Sequence, residues 1–365
     1  ISGGTLYVGG SFSFIGGKTR TNLASLNPEG VAVEGFDPIA NGRVRALAIS
    51  GDVLYVGGDF TKFKDLDRPY LGAVSLSGAV LGFSPVLNSP VNSLAVSGNT
   101  IYVAGEFSSI GGLPRFNIGA LGTDGVPSPG FIADANAPVH ALAVSGSTIY
   151  VGGEFTSIGA VSRNRIAALD LSGTVLVNFI PNLGTNSFVY ALAVSGSTVY
   201  VGGLFSQIGG QIRNNIAALD INGNVMASFN ATADGVVYAL AVSGNFVYAG
   251  GQFSAIGGQS RNNIAALDSD GLVIADFDPI ADDIVRTLAV SGSTLYVGGE
   301  FGFIGGAVRN RIAALGATGV AVAEFNPSAN GIVRTLAVSD GTIYAGGDFT
   351  SIGGASRNRI ASLNA

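Results

Sequence analysis

The 365-residue chain has no cysteine and no tryptophan, one methionine and one histidine. Without cysteine, disulfides and thiolate metal sites are excluded. A single histidine, His140, cannot build an imidazole metal cluster, and it gives a Ser–His pair one candidate with no supporting spacing. Lysine is scarce as well: Lys18, Lys62 and Lys64 are the only three. Charged residues make up 12% of the chain and the net charge is −6, which leaves no basic patch for nucleic acid. Gly, Ser and Asn interrupt every apolar run before the roughly 18 residues that a membrane helix needs, so no membrane span is expected. No stretch holds a 3.6-residue periodicity with caps, so no helix is predicted. The opening ISGGTLYVGG carries no charged leader, and any signal peptide is expected to have been removed or left out.

What is abundant is glycine, 56 residues, in a chain that is 47% hydrophobic and so argues against disorder. The glycines stand at fixed places in a recurring phrase, as in YVGGEFTSIGAVSRNRIAALD from Tyr150 and YAGGQFSAIGGQSRNNIAALD from Tyr248. Its eight copies are anchored by Tyr7, Tyr55, Tyr102, Tyr150, Tyr200, Tyr248, Tyr296 and Tyr344, at intervals of 48, 47, 48, 50, 48, 48 and 48 residues. Length alone would suggest two or three domains. A period that fills residues 1–365 instead predicts one domain of eight repeats, the first and last incomplete.

Each copy reads as four short strands, a to d. In the copy from Val285 these are VRTLAVS, TLYVGGEF, RNRIAALG and VAVAEFNP, separated by Gly-rich turns and the loop GFIGGAV. The period-two alternation and the turn residues are the strand signals. Four strands in about 48 residues is the size of a β-propeller blade. The expected fold is therefore an all-β propeller of four-stranded blades, with a innermost and eight blades favoured over seven.

The motifs YVGG, F…IGG, RN.IAAL and F.P…V.ALAVSG also resemble propeller repeats of the YVTN type. They are closer to the delta-sixty repeat of large bacterial secreted proteins and to related repeats in fungal cell-polarity surface proteins. The resemblance covers essentially the whole chain. It implies an extracellular or cell-surface β-propeller and carries no catalytic motif or cofactor. The low-lysine, Gly/Ser/Thr/Asn-rich composition suits the same location.

Residues kept in every copy are expected to serve packing, because each blade must present the same surface to the next. One set is Phe12, Phe60, Phe107, Phe155, Phe205, Phe253, Phe301 and Phe349. The other is Arg20, Arg68, Arg115, Arg163, Arg213, Arg261, Arg309 and Arg357, whose fork could tie loop carbonyls or an acid such as Asp59 or Glu154. The competing reading, an arginine row for anionic glycans, is disfavoured because binding sites usually break symmetry.

Positions that differ between copies say more about function. The second residue of strand a reads Arg45, Asn92, His140, Tyr190, Tyr238, Arg286 and Arg334. On the face shared by the b–c and d–a loops these would surround the channel mouth, a mixture suited to stacking and hydrogen bonding to a polar ligand. Tolerated variety at a solvated strand end is the plainer reading. IGGKT at Ile15–Thr19 lacks the first glycine of a phosphate loop, since Phe12 stands there, and it precedes a strand. DINGN from Asp220 and DSDG from Asp268 look like the start of calcium loops but fall where turn formers belong. Asp282 and Asp283 read as a solvated loop.

The expected function is a non-enzymatic binding or adhesion module with a glycan or protein partner. The alternative is a structural subunit of a surface layer or fibre. The strand count, eight b, eight c, seven a and seven d, leaves unpaired edges. Flanking sequence or a neighbouring copy is expected to close them by strand addition, so self-assembly is a further expectation.

Overall fold

Alternation along Val139–Ser145, Thr148–Gly153 and Ile166–Asp170 is realised as one antiparallel sheet, with the strands hydrogen-bonded in that order. The computed structural model describes every residue except Thr185, Asp340 and Ala365. Among the described residues this a–b–c sheet occurs seven times, and an eighth sheet pairs Leu6–Gly9 with Leu23–Leu26. None of the described residues forms a helix long and apolar enough to cross a membrane.

The fourth strand differs from expectation. The d segment makes a single bridge to strand c in each of seven repeats, as Leu169 does with Val175. The cause is local. The Leu176 N–H donates to the Ala168 carbonyl at 2.8 Å, and the Phe179 N–H then donates back to Leu176 at 3.0 Å, which turns the chain inward. Phe179 is thereby buried against Tyr150, with ring centroids 5.6 Å apart. In five copies a proline follows two residues after this Phe and could not donate to a longer ladder. Seven of the sheets are thus three-stranded, and in seven repeats a d segment is attached to strand c by one bridge.

The b–c loop is also more regular than expected. Ser157–Ile158 pairs with Val161–Ser162 across Gly159 and Ala160, both at positive φ (54° and 61°). Two left-handed residues in a two-residue loop match the right-handed strand twist, which is why most copies write Gly-Gly here. The hairpin tucks in one side chain, Ile158, which is fully buried and bridges Ala135.

The chain divides into two compact units, Ile1–Ile180 and Pro181–Ala365, with four sheets in each. Within each unit the apolar clusters lie between consecutive sheets. In the first, Tyr102, Phe131, Phe155, Ile158 and Leu169 join the third sheet to the fourth. In the second, Tyr200, Phe229, Phe253, Ile256 and Leu267 repeat that arrangement. The anchor tyrosines pack on the Phe of the d segment in tilted or edge-on contact, as in Tyr7–Phe36 at 5.4 Å and Tyr296–Phe325 at 5.4 Å. Two phenols also donate to the next sheet: Tyr7 to the Leu76 carbonyl and Tyr102 to that of Leu171, both at 3.0 Å.

Candidate functional site

The repeated residues occupy packing positions. Seven of the eight repeat Phe are buried, and Phe12 is only half-buried. The repeat Arg spends its donors on carbonyls: Arg163 donates to Ser162 (2.8 Å), Leu176 (3.3 Å) and Val177 (2.9 Å). Arg20, Arg163, Arg213, Arg261 and Arg309 are buried; Arg68 and Arg115 are half-buried, and Arg357 is exposed. The Arg thus pins the d segment onto the b–c hairpin. Asp59 and Glu154, the acids expected for it, pair elsewhere. Arg261→Lys should lower stability by about 1–2 kcal/mol, because an ammonium cannot span Ser260, Ile274 and Ala275 together. Chemical denaturation checks this.

The seven varied residues share a backbone feature that the alternation did not reveal. In every strand a the register shifts between the first and third residues, at Val44/Ala46, Val91/Ser93, Val139/Ala141, Val189/Ala191, Val237/Ala239, Val285/Thr287 and Val333/Thr335. The second residue is therefore the extra residue of a β-bulge, and a bulge re-aims its side chain. The second glycine of YVGG exists for this bulge. A Cβ at Gly58, Gly105, Gly153, Gly203, Gly251, Gly299 or Gly347 would overlap the carbonyl oxygen just before the bulge.

Within each unit the bulge residues form a continuous row. In the first, Arg45 Nη1 donates to Asn92 Oδ1 at 2.7 Å, and Asn92 Nδ2 lies 3.4 Å from His140 Nδ1. Acids at the end of strand b flank them. Arg45 pairs with Asp59 at 2.8 Å and reaches Glu106 at 3.5 Å, and His140 Nε2 lies 3.0 Å from Glu154. In the second unit Tyr190 packs on Tyr238 at 5.4 Å, and the Arg286 guanidinium sits 4.9 Å over the Tyr238 ring. Arg286 donates to Glu300 at 2.8 Å and Arg334 to Asp348 at 2.9 Å. The last pair holds the Asp348 carboxyl below its usual range, and burial pushes the Tyr190 phenol up, with Tyr238 adding to it.

A further recurring set caps the b–c hairpins. Asn41, Asn88, Asn136, Asp234, Asp282 and Asn330 each accept two successive backbone N–H groups at the start of a b–c hairpin. Asp282 is thus a loop cap, and Asp283 accepts from the Ile284 N–H at 2.7 Å. Their recurrence every 47 or 48 residues, with one copy skipped between Asn136 and Asp234, is the sequence signal for them. The calcium-like turns are closed by their own first acid: Asp220 Oδ1 accepts from Asn222 and Asn224, and Asp268 Oδ1 from Asp270 and Leu272.

Residues 4–32, 148–175, 247–273 and 339–365 match a domain of unknown function described as a β-propeller, DUF5122. No curated protein matches the chain. Among solved structures the chain is similar to the computationally designed Ika8 protein, with 16% identity, a TM-score of 0.61, and coverage of 99% of this chain and 97% of that one. It is also similar to BamB from Moraxella catarrhalis, with 16% identity, a TM-score of 0.58, and coverage of 98% and 89%. At such identities the likeness speaks for fold alone. The four matched segments and the recurring a–b–c sheet make this chain an all-β repeat protein of the β-propeller kind.

Proposed function

We propose that the chain is a non-catalytic, extracellular or cell-surface binding module of eight blades, one per repeat. Its ligand would meet the face formed by the b–c and d–a loops. The observation that carries this reading is the bulge. Seven strands place their one freely varied residue at the position the backbone re-aims, while the packing residues around it stay constant. Wide variety at this position of an otherwise nearly constant strand, joined by variety at the facing end of strand b, suits a recognition surface. The ring nitrogens of His140 lie beside Asn92 and Glu154, neither of which is a nucleophilic hydroxyl.

The test is a glycan array, with pull-downs for protein ligands, on three alanine sets: Arg45/Asn92/His140, Tyr190/Tyr238 and Arg286/Arg334. At least one set should abolish binding while the melting temperature stays within about 4 °C of the parent. Binding untouched by all three, or fibre formation with no ligand captured, would refute the reading.

A further inference from the structure

The two rows are not equivalent. In five repeats the bulge residue stands 14 residues before an acid: Arg45 and Asp59, Asn92 and Glu106, His140 and Glu154, Arg286 and Glu300, Arg334 and Asp348. In the other two the acid is replaced by Leu204 and Gln252, and the bulge residue is Tyr190 or Tyr238. Charge leaves this face at the two places where rings enter it. Phe188 stacks on Tyr190 at 6.1 Å with the planes 15° apart, and Tyr190 in turn meets Tyr238. Tyr190 is 50% exposed, Leu204 40% and Phe188 39%, so Phe188 and Tyr190 form an open platform, with the half-buried Tyr238 ring packed beside it under the Arg286 guanidinium.

Beside the platform lies an open depression of about 470 Å³ within the second unit, a volume in the range of small-ligand sites. It starts at the entrance of the Tyr238 strand, and Asp234, Gln252, Asn262 and Asp282 line it. Gln252 pairs with Val236, two residues before Tyr238, and so connects depression to platform. Amides donate to and accept from hydroxyl groups, and carboxylates accept from them. The two carboxylates, Asp234 and Asp282, repel an anion. Arg286, which lies over the Tyr238 ring, is already neutralised by Glu300.

From these features we infer that the Tyr190–Tyr238 platform and its depression bind a neutral oligosaccharide. The apolar face of one pyranose lies on the rings, and the hydroxyls of the next sugar meet Gln252, Asn262 and Asp282. The inference rests on the binding reading above and narrows it to one place and one ligand class.

The experiment uses the full chain on an array holding neutral hexose oligomers beside sialylated, uronic-acid and sulfated glycans, followed by calorimetry with the best neutral oligomer. Neutral oligomers should be retained and acidic ones not. Tyr190→Ala and Tyr238→Ala should each weaken binding by about tenfold, as loss of an aromatic stacking partner does. Tyr190→Phe and Tyr238→Phe keep the rings and should stay within about threefold. Those variants keep the test valid if an alanine variant misfolds. Capture of acidic glycans or of a protein, lost on replacing Arg45 or Arg334, would overturn this inference and leave the binding reading standing. Neutral binding indifferent to Tyr190 and Tyr238 would overturn it too. Absence of any binding would sink both.

Discussion

Phe155→Ala is expected to cost about 3–5 kcal/mol, the usual loss for deleting a buried phenylalanine ring. Phe155 is fully buried, in a cluster that draws Tyr102 and Phe131 from one sheet segment and Ile149, Ile158 and Leu169 from the next. The cavity has little chance to collapse, because its walls are backbone-paired strands and the hairpin side chain Ile158. Urea denaturation followed by circular dichroism checks the value. A loss below about 1 kcal/mol would mean that the sheets do not pack through this ring. Phe12→Ala is the internal control. Its ring is only half-buried, so its cost should fall well short of that at Phe155.

The fold was legible where chemistry repeats. A fixed period, paired glycines and alternating apolar residues state strand, turn and face in every copy, so the sheets and the inter-sheet role of Phe155 follow from them. What was not legible needed the backbone path. Alternation places Arg286 on the same face as Leu288, yet the register shift at Val285/Thr287 makes it a bulge residue. The clue was indirect: a second glycine in YVGG with no turn to explain it. VAVAEF alternates as a d strand should, yet the inward turn that buries its Phe325 ends the pairing after one bridge.

Left-handed backbone was hidden as well. The second residue after the repeat Arg has positive φ in all eight copies, at Asn22, Tyr70, Asn117, Arg165, Asn215, Asn263, Arg311 and Arg359. Only half of these are Asn, the residue that tolerates that region best, so composition gave a partial signal. At Asn215 the side chain explains the preference. It accepts from the Phe205 N–H at 3.0 Å and donates to the Ala233 carbonyl at 2.9 Å. Arg311 reproduces one of these contacts, donating to Ala329 at 3.0 Å. Of the candidate site, the residue types were readable, but their pairing with an acid 14 residues on was not, because strand b returns them together only once the bulge is in place.

Alkaline pH should unfold this protein steeply. Tyr7, Tyr55, Tyr102, Tyr150, Tyr200, Tyr248 and Tyr296 all have phenol pKa values raised above 10.0, chiefly because burial disfavours the phenolate. A raised value means that the folded chain holds its proton more tightly than the unfolded one. The stabilisation is therefore complete below pH 10.0 and is lost as pH rises through the folded-state values. Between its unfolded and folded values a phenol makes stability fall by at most about 1.4 kcal/mol per pH unit. Urea midpoints measured in steps from neutral pH to above pH 11 should stay level and then fall sharply, with phenolate absorbance appearing together with unfolding. Tyr102→Phe dissects the effect. At neutral pH it should cost about 1 kcal/mol, the hydroxyl's bond to the Leu171 carbonyl. In alkali it should lose stability less steeply than the parent, since one titrating group is gone. A midpoint that stays level above pH 11, or phenolate forming while the fold remains intact, would show that these hydroxyls reach water freely, and the inter-sheet position assigned to the anchor tyrosines would then be wrong.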